Sequence, residues 1–350
     1  VKLFETVKEM GHEQVLFFHD RELNFKAIIA LHDTSLGRAM GATRLFPYAS
    51  EEDALRDVLR LSRGMTYKAA CANIPVGGGK AVIIANPEQK TDKMLRTYGR
   101  FVNSLQGRFI TGQDVNICPK DVQEMRRETR YVVGLLEKAG GPAPATALGV
   151  FLGIKAAVFF QLNRQELKDL KVAVQGLGNV GRKLCEYLHQ HGVKLFVTDI
   201  NCKRAEEIQQ LYGAKVVEPE EIYSLDVDIF APCAMGAILN SETIPLIQAS
   251  IIAGCANNQL QDESIHSIML KSKGTLYCPD YVINSGGLIN VYHELTLSDE
   301  TSYLKQIHSI YDTLLEIFTK SKVENLTTQA ASKRLAEERI LRARELKIAA

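Results

Sequence analysis

A lysine delivered by a run of glycines is the first feature of this chain with chemistry in it. The stretch is Pro75-Val76-Gly77-Gly78-Gly79-Lys80, with Lys68 upstream and Asp114 downstream. Three glycines leave no side chain between backbone and ligand, and they bring in the lysine just as an apolar run, Ala81 to Ala85, begins. A nucleotide phosphate loop would need Gly six positions before the lysine and Ser or Thr after it. Ile74 and Ala81 stand there, so the run is not a P-loop. Alone it reads equally as a tight turn with a surface lysine; what sets it apart is the rest of the chain.

The second feature is a dinucleotide fingerprint. Lys171-Val172-Ala173-Val174-Gln175 reads as a buried strand, Gly176-Leu177-Gly178-Asn179-Val180-Gly181 follows, and a helix continues through Leu188. In that order the glycines permit a tight turn and a close pyrophosphate, and the helix N-terminus stabilises the phosphate charge. A second strand over 193–198 ends at Asp199, 18 residues beyond Gly181. A carboxylate there binds ribose hydroxyls and repels a 2′-phosphate, so NAD is favoured over NADP, with Lys203 and Arg204 close enough to soften the preference. Two later strands, running into loops at 229–234 and 251–258, would end at the same sheet edge. They bring Cys233, Ala234, Ala256 and Asn257 to the cofactor side; Asn257 and Asn258 are either turn residues or amides for the nicotinamide carboxamide. Asn284, ahead of Gly286-Gly287, belongs to another glycine-rich approach to a ligand over 280–288.

Positioning these groups takes an α/β chain of two domains. Residues 14–18 and 25–31 are β-rich runs. Ser50-Glu51-Glu52-Asp53 resembles a capping box and opens a helix with Leu55, Val58, Leu59 and Ser62 at helical spacing to Met65; Lys68 follows about a turn later, on the same side. A strand over 80–85, a helix from Thr91 to about Leu105, and a strand over 108–112 running into Gln113 and Asp114 come next. Lys80 at a strand start and Asp114 at a strand end are expected to be neighbours. Gly140-Gly141-Pro142-Ala143-Pro144 reads as a hinge, 146–160 as a helix, and 328–347 as an amphipathic helix with Leu335, Ile340 and Leu341 inward.

The totals narrow the function classes. A chain of 350 residues exceeds one ordinary core. Hydrophobic content of 46% suits a globular protein, and a net charge of +1 gives no reason to expect nucleic acid or a membrane surface as partner. No apolar run of membrane-spanning length is expected and Val1-Lys2-Leu3-Phe4 lacks a signal-peptide pattern, which reads as cytoplasmic. Seven cysteines without a C-x-x-C pair argue against a disulfide framework and against structural zinc, so no metal is expected. Cys118 has no His near it in sequence to activate it.

Gly77-Gly78-Gly79-Lys80, Gly112-Gln113-Asp114-Val115, Pro142-Ala143-Pro144-Ala145-Thr146, the fingerprint at 176–181, Ala231-Pro232-Cys233-Ala234 and Asn284-Ser285-Gly286-Gly287 together resemble the glutamate/leucine/phenylalanine/valine dehydrogenase family, in order and over nearly the whole chain. The resemblance implies NAD-dependent oxidative deamination of an L-amino acid to a 2-oxo acid and ammonia, and the reverse. It implies a catalytic, substrate and oligomerisation domain over 1–140, a Rossmann NAD-binding domain over 141–325 and a C-terminal helix over 326–350 that packs back on the first. It gives Lys68 the substrate carboxylate, Lys80 the catalysis and Asp114 the proton transfer. The chemistry agrees: once hydride leaves Cα, water attacks an iminium and needs a base. A lysine serves only if burial and the charge of Lys68 depress its pKa.

In the glutamate-specific members a lysine at the position of Met40 meets the side-chain carboxylate, and a hydroxyl stands at that of Val291. Neither charge nor hydroxyl is present here, so an apolar substrate side chain is expected. Leu288 and Val291 align with the pocket of the leucine enzymes, whereas Met40, Met65 and Tyr292 suit a wider, aromatic-friendly pocket; Gly41 adjoins Met40. Within the family, the resemblance along the whole chain implies tryptophan as substrate before leucine or phenylalanine. A rival of another class is an NAD-binding protein that lost catalysis; the intact Lys68, Lys80 and Asp114 set argues against it. A homo-oligomer is expected, a dimer before an octamer.

Overall fold

A computed structural model of the protein describes residues 3–135 and 141–349, so Gly140, the first residue of the expected hinge, lies outside the described residues. The chain divides into two compact units, Val1–Lys138 with Glu294–Leu297 and Ala336–Ala350, and Ala139–His293 with Ser298–Leu335.

The first unit opens with α1 (Leu3–Met10), the antiparallel strands β1 (Gln14–Asp20) and β2 (Phe25–Asp33), and the short β3 (Ala39–Met40) and β4 (Thr43–Phe46). Then come α2 (Glu51–Cys71), β5 (Gly77–Ile84), α3 (Asp92–Ser104), β6 (Phe109–Ile110) and α4 (Pro119–Arg126). β5 lies at the centre of the sheet, antiparallel to β2 on one side and parallel to β3 and β4 on the other. Alternation along β2 and β5 sorts two cores. Ala27, Ile29, Leu31, Ala81 and Ile83 pack with Leu95, Tyr98, Val122 and Met125 of α3 and α4, whereas Ile28, Ala30 and Val82 pack with Leu55, Val58 and Leu59 of α2. Ser50 caps α2, its hydroxyl accepting from the Asp53 amide at 3.0 Å. The helix continues past Met65 to Cys71 and takes Lys68 into its last turn.

The strand expected over 80–85 starts at Gly77, so the glycine run is strand, not loop. A Cβ on Gly78 would lie 2.1 Å from Thr66 Oγ1 and 2.3 Å from the Thr66 amide nitrogen; one on Gly79 would lie 2.8 Å from the Phe109 ring. These two glycines let α2 and Phe109 press onto the sheet. Their reason is packing over long sequence separation, which a local reading assigns to a ligand instead.

The second unit contains α5 (Pro142–Leu162), β7 (Lys171–Gln175), α6 (Asn179–Gln190), β8 (Lys194–Thr198), α7 (Cys202–Tyr212), β9 (Lys215–Val216), β10 (Ile229–Pro232), β11 (Ile251–Ile252), α8 (Glu263–Ser272), β12 (Leu276–Tyr277), α9 (Asp280–Ile283), α10 (Gly286–Thr296), α11 (Glu300–Val323) and the start of α12 (Thr328–Ala349). Its parallel sheet runs β12-β11-β10-β7-β8-β9. The chain reverses direction across the sheet between β7 and β10, a topological switch point.

Four expectations change. α5 is, at 21 residues, long and apolar enough to cross a membrane, but 61% of its most apolar window is buried inside the protein, as in a core helix. Pro142 and Pro144 lie in its first turn, where a missing N–H is tolerated, so it starts before residue 146. Residues 280–283 and 286–288 are helical, joined by a turn, and Gly286 is required by packing: its Cβ would meet the Ala145 carbonyl oxygen at 2.1 Å. On α12, Leu335 and Ile340 are buried but Leu341 is 56% exposed. The later half of α12 bonds to the first unit. Arg339 donates to the carbonyls of Ala70 and Cys71 at 3.0 and 2.9 Å, closing the C-terminus of α2, and Arg344 pairs with Asp33.

Candidate active site

Lys80 is the fourth residue of β5, opposite Ala30 of β2, and shares with Gly78 and Val82 the face that α2 covers. It is only 7% exposed, and its Nζ lies 2.7 Å from Asp114 Oδ2. The segment holding β3 and β4 joins the two. On one side it donates from Gly41, Thr43 and Leu45 to the carbonyls of Ile110, Gly112 and Val115 at 3.0, 2.9 and 3.0 Å; on the other the Ala42 carbonyl accepts from the Ala81 amide at 3.2 Å. Beneath, the buried Thr43 hydroxyl lies 2.7 Å from Tyr98 Oη and 2.6 Å from Thr111 Oγ1, fixing the strand that leads to Asp114.

Three residues missed in the sequence complete this cluster. Arg44 Nε donates to Asp114 Oδ2 at 3.2 Å, Arg44 Nη1 to Asp57 Oδ2 at 3.0 Å, and the Tyr48 hydroxyl to that same Asp57 oxygen at 2.6 Å. No spacing rule marks them. Burial holds the Lys80 amine below the usual lysine range; the Asp114 carboxylate opposes this, and the nearby Arg44 charge adds to it. The Asp114 carboxyl is held below its ordinary value: burial pushes it up, and the charges and hydrogen bonds of Lys80, with Arg44, more than offset that.

Lys68 and Met65 are half-buried on α2, the helix whose Thr66 abuts Gly78. Met40 is buried on β3 at 2% exposure. Gly41 has a packing reason, since its Cβ would fall 1.7 Å from the Gly79 carbonyl oxygen.

In the second unit the three fingerprint glycines have three different reasons. Gly176 has φ +96° and would press a Cβ to 2.6 Å from that of Ala234; Gly181 would drive one to 2.0 Å from the Gly176 carbonyl oxygen. Gly178, the N-cap of α6, would meet nothing within 4 Å. Protein packing therefore explains the first and third but not the middle one. The open space in front of Gly178, at a helix N-terminus that begins Asn179-Val180, fits a pyrophosphate. Asp199 is close by, but its carboxylate accepts from the Leu177 and Asn201 amides at 2.6 and 2.8 Å, with Arg204 at 3.9 Å, so a ribose would share an oxygen already bonded to the glycine turn. At the ends of β10 and β11, Cys233 is half-buried beside Gly181, Ala234 is exposed, and the buried Ala256 donates its amide to the Pro232 carbonyl at 3.0 Å. Asn284 donates its amide to Asn257 Oδ1 at 2.7 Å and to the Cys255 carbonyl at 3.1 Å, which brings those two asparagines together. Leu288, Val291 and Tyr292 lie on α10, Leu288 buried and the others half-buried. Among the described residues no three His, Cys, Asp or Glu side chains gather as metal ligands.

The profile described as "Glu/Leu/Phe/Val dehydrogenase, dimerisation domain" matches residues 12–137, and that of "Glutamate/Leucine/Phenylalanine/Valine dehydrogenase" matches 140–202 and 195–347. L-tryptophan dehydrogenase of Nostoc punctiforme is 68% identical over 338 residues, covering 97% of this chain and 96% of that one. Leucine dehydrogenase of Geobacillus stearothermophilus is 47% identical over 344 residues, 97% and 94% of the two chains. Among solved structures, L-tryptophan dehydrogenase from Nostoc punctiforme superimposes with a TM-score of 0.90 at 66% identity, over 97% of this chain and 99% of that one. Glutamate dehydrogenase from Thermus thermophilus shares the fold, with a TM-score of 0.77 at 21% identity over 98% and 92%. With profile matches over both units and this identity along its length, the chain belongs to the Glu/Leu/Phe/Val dehydrogenase family and is an amino acid dehydrogenase, whose chemistry implies a nicotinamide cofactor.

Proposed function

We propose that the protein catalyses the reversible NAD-dependent oxidative deamination of L-tryptophan to indole-3-pyruvate and ammonia. The observation that carries the mechanism is the buried Lys80–Asp114 pair, a lysine whose surroundings favour the neutral amine beside a carboxylate held ionised. When bound, NAD supplies the hydride acceptor. Lys68 holds the substrate carboxylate. Neutral Lys80 takes a proton from the water that attacks the iminium carbon, and Asp114 exchanges a proton with the departing amine. Of the cofactor residues, Gly176, Gly178, Asn179, Val180 and Gly181 receive the pyrophosphate and Asp199 the ribose. Cys233, Ala234, Ala256, Asn257 and Asn284 are assigned to the nicotinamide half.

Tryptophan is supported by the 68% identity to an enzyme of that name. The residues assigned to the substrate, Met40, Gly41, Met65, Leu288, Val291 and Tyr292, carry no charge, and an unpaired carboxylate against them would be costly. We assign catalysis and assembly to the first unit and the cofactor to the second, in a homo-oligomer, a dimer before an octamer. Seven free thiols suit a reducing cytoplasm.

The test follows NADH formation with NAD and, in turn, L-tryptophan, L-phenylalanine, L-leucine and L-glutamate, repeated with NADP. Tryptophan with NAD should give the highest kcat/KM. Leucine winning would reassign the substrate, and no NADH from any L-amino acid would refute the reading. Lys80→Ala should bind NAD and lose turnover; near-normal turnover would refute the role of Lys80.

A further inference from the structure

The reaction as written uses Lys68, Lys80 and Asp114 and leaves Arg44 without a task. Yet Arg44 is the hub of the cluster. One carboxylate oxygen, Asp114 Oδ2, takes both Lys80 Nζ at 2.7 Å and Arg44 Nε at 3.2 Å. The other end of the guanidinium is fixed on Asp57 Oδ2 at 3.0 Å, which Tyr48 Oη also reaches at 2.6 Å. The charges of Lys80, Asp114, Arg44 and Asp57 alternate along this line. The Arg44 and Asp57 side chains are 24% and 22% exposed, so water screens them only in part.

We propose that Arg44 is a positioning residue of this active site: it holds Asp114 from one side, anchored on Asp57, and so keeps that carboxylate from pairing with Lys80 alone. The proposal rests on the assignment of Lys80 as the base. An oxygen that accepts from two cations binds each less strongly, and a lysine paired with a carboxylate of its own keeps its proton. Arginine suits the post because it stays protonated across the working range and cannot take the proton that Asp114 must exchange. Its planar fork reaches both carboxylates in one fixed geometry, which a lysine's single ammonium cannot do.

The sign of the effect follows from the groups around Lys80. β2 presents Ala30 opposite it, β4 brings Arg44, the segment after β4 brings Tyr48, the segment after β6 brings Asp114, and α2 brings Asp57 and carries Lys68. Removing Arg44 deletes a positive charge and leaves Asp114 and Asp57 acting on the lysine. Both favour its protonated form, so more alkaline pH is needed to free the base.

The experiment is the pH profile of kcat/KM for tryptophan oxidation by the 350-residue chain with NAD, in wild type, Arg44→Met, Arg44→Lys and Lys80→Ala. Arg44→Met should lower kcat/KM about tenfold on the acidic limb, equivalent to a displacement of about one pH unit, and recover towards wild type at the alkaline end. Arg44→Lys, which keeps the charge and loses the fork, should be displaced about two- to threefold in the same direction. NAD affinity should be unchanged in both. A loss by the same factor at every pH, or no loss, would overturn the proposal and leave Arg44 as a tie between β4 and α2. Should Arg44→Met not fold, the displacement in Arg44→Lys decides by the same criterion. A Lys80→Ala protein that turns over normally removes the assignment beneath the proposal, and both fall. An inactive Lys80→Ala with an undisplaced Arg44 profile overturns this proposal alone.

Discussion

One methyl group at Gly78 tests whether the glycine run exists to seat α2. The added Cβ of Gly78→Ala would lie 2.3 Å from the Thr66 amide nitrogen and 2.5 Å from the Ser62 carbonyl oxygen, both backbone atoms of α2 that cannot swing aside. Ordinary contact begins near 3.4 Å, so the helix must retreat by about 1 Å. A gap of that size forfeits a quarter to a half of the dispersion energy at each contact. The packed face includes Leu55, Val58 and Leu59, all 5% exposed or less. We expect a destabilisation of about 2–4 kcal/mol in urea unfolding. The same retreat carries Lys68 about 1 Å from its place relative to Lys80, for which a loss of roughly a hundredfold in kcat/KM is expected. Gly64→Ala is the matched control. It lies on the same helix with nothing within 4 Å of its Cβ, and should raise stability by about 0.5–1 kcal/mol with turnover unchanged. Wild-type stability in Gly78→Ala would refute the packing argument; lost stability with intact kinetics would refute the link between the seat of α2 and turnover.

The fingerprint glycines should separate in the same way. Gly178→Ala, at φ −67° and facing open space, should unfold like wild type but bind NAD about tenfold more weakly by fluorescence titration, whereas Gly181→Ala should lose about 2 kcal/mol of stability; identical behaviour of the two would contradict their assigned reasons. The buried ring of His12 contacts Ser62 at 2.7 Å and that of His32 contacts Thr66 at 2.8 Å; burial lowers each pKa from 6.5 to about 4. Below 6.5 the unfolded chain takes up protons that the folded rings refuse, so stability should fall between pH 6.5 and 4, by up to about 3 kcal/mol for one ring and less than twice that for the coupled pair. Urea midpoints at pH 7.5 and 5 should diverge in wild type and diverge less in His12→Gln, which keeps only the His32 contribution; equal divergence in both would count against this.

Features set by neighbours in sequence were legible. Ser50 and Thr91 cap the helices they precede because a hydroxyl bonds an amide three residues on. The fingerprint over 176–181 was legible because strand, turn and helix fall within one short stretch. Features set by distant partners were not. Nothing near Gly78 in sequence announces Thr66 as its neighbour, and Leu341 fits the inward stripe of α12 by periodicity yet lies exposed.

The sequence by itself determined the groups that can do this chemistry and the order of strands and helices that bear them, because residue type and periodicity are local properties. Only the tertiary structure decided which groups meet. Arg44 and Asp114 are 70 residues apart in sequence, and one oxygen of Asp114 meets both Arg44 and Lys80 because the strands β4 and β5 and the segment after β6 lie side by side. Whether the lysine can be a base depends on that meeting, since burial, the carboxylates of Asp114 and Asp57 and the Arg44 guanidinium set its proton affinity.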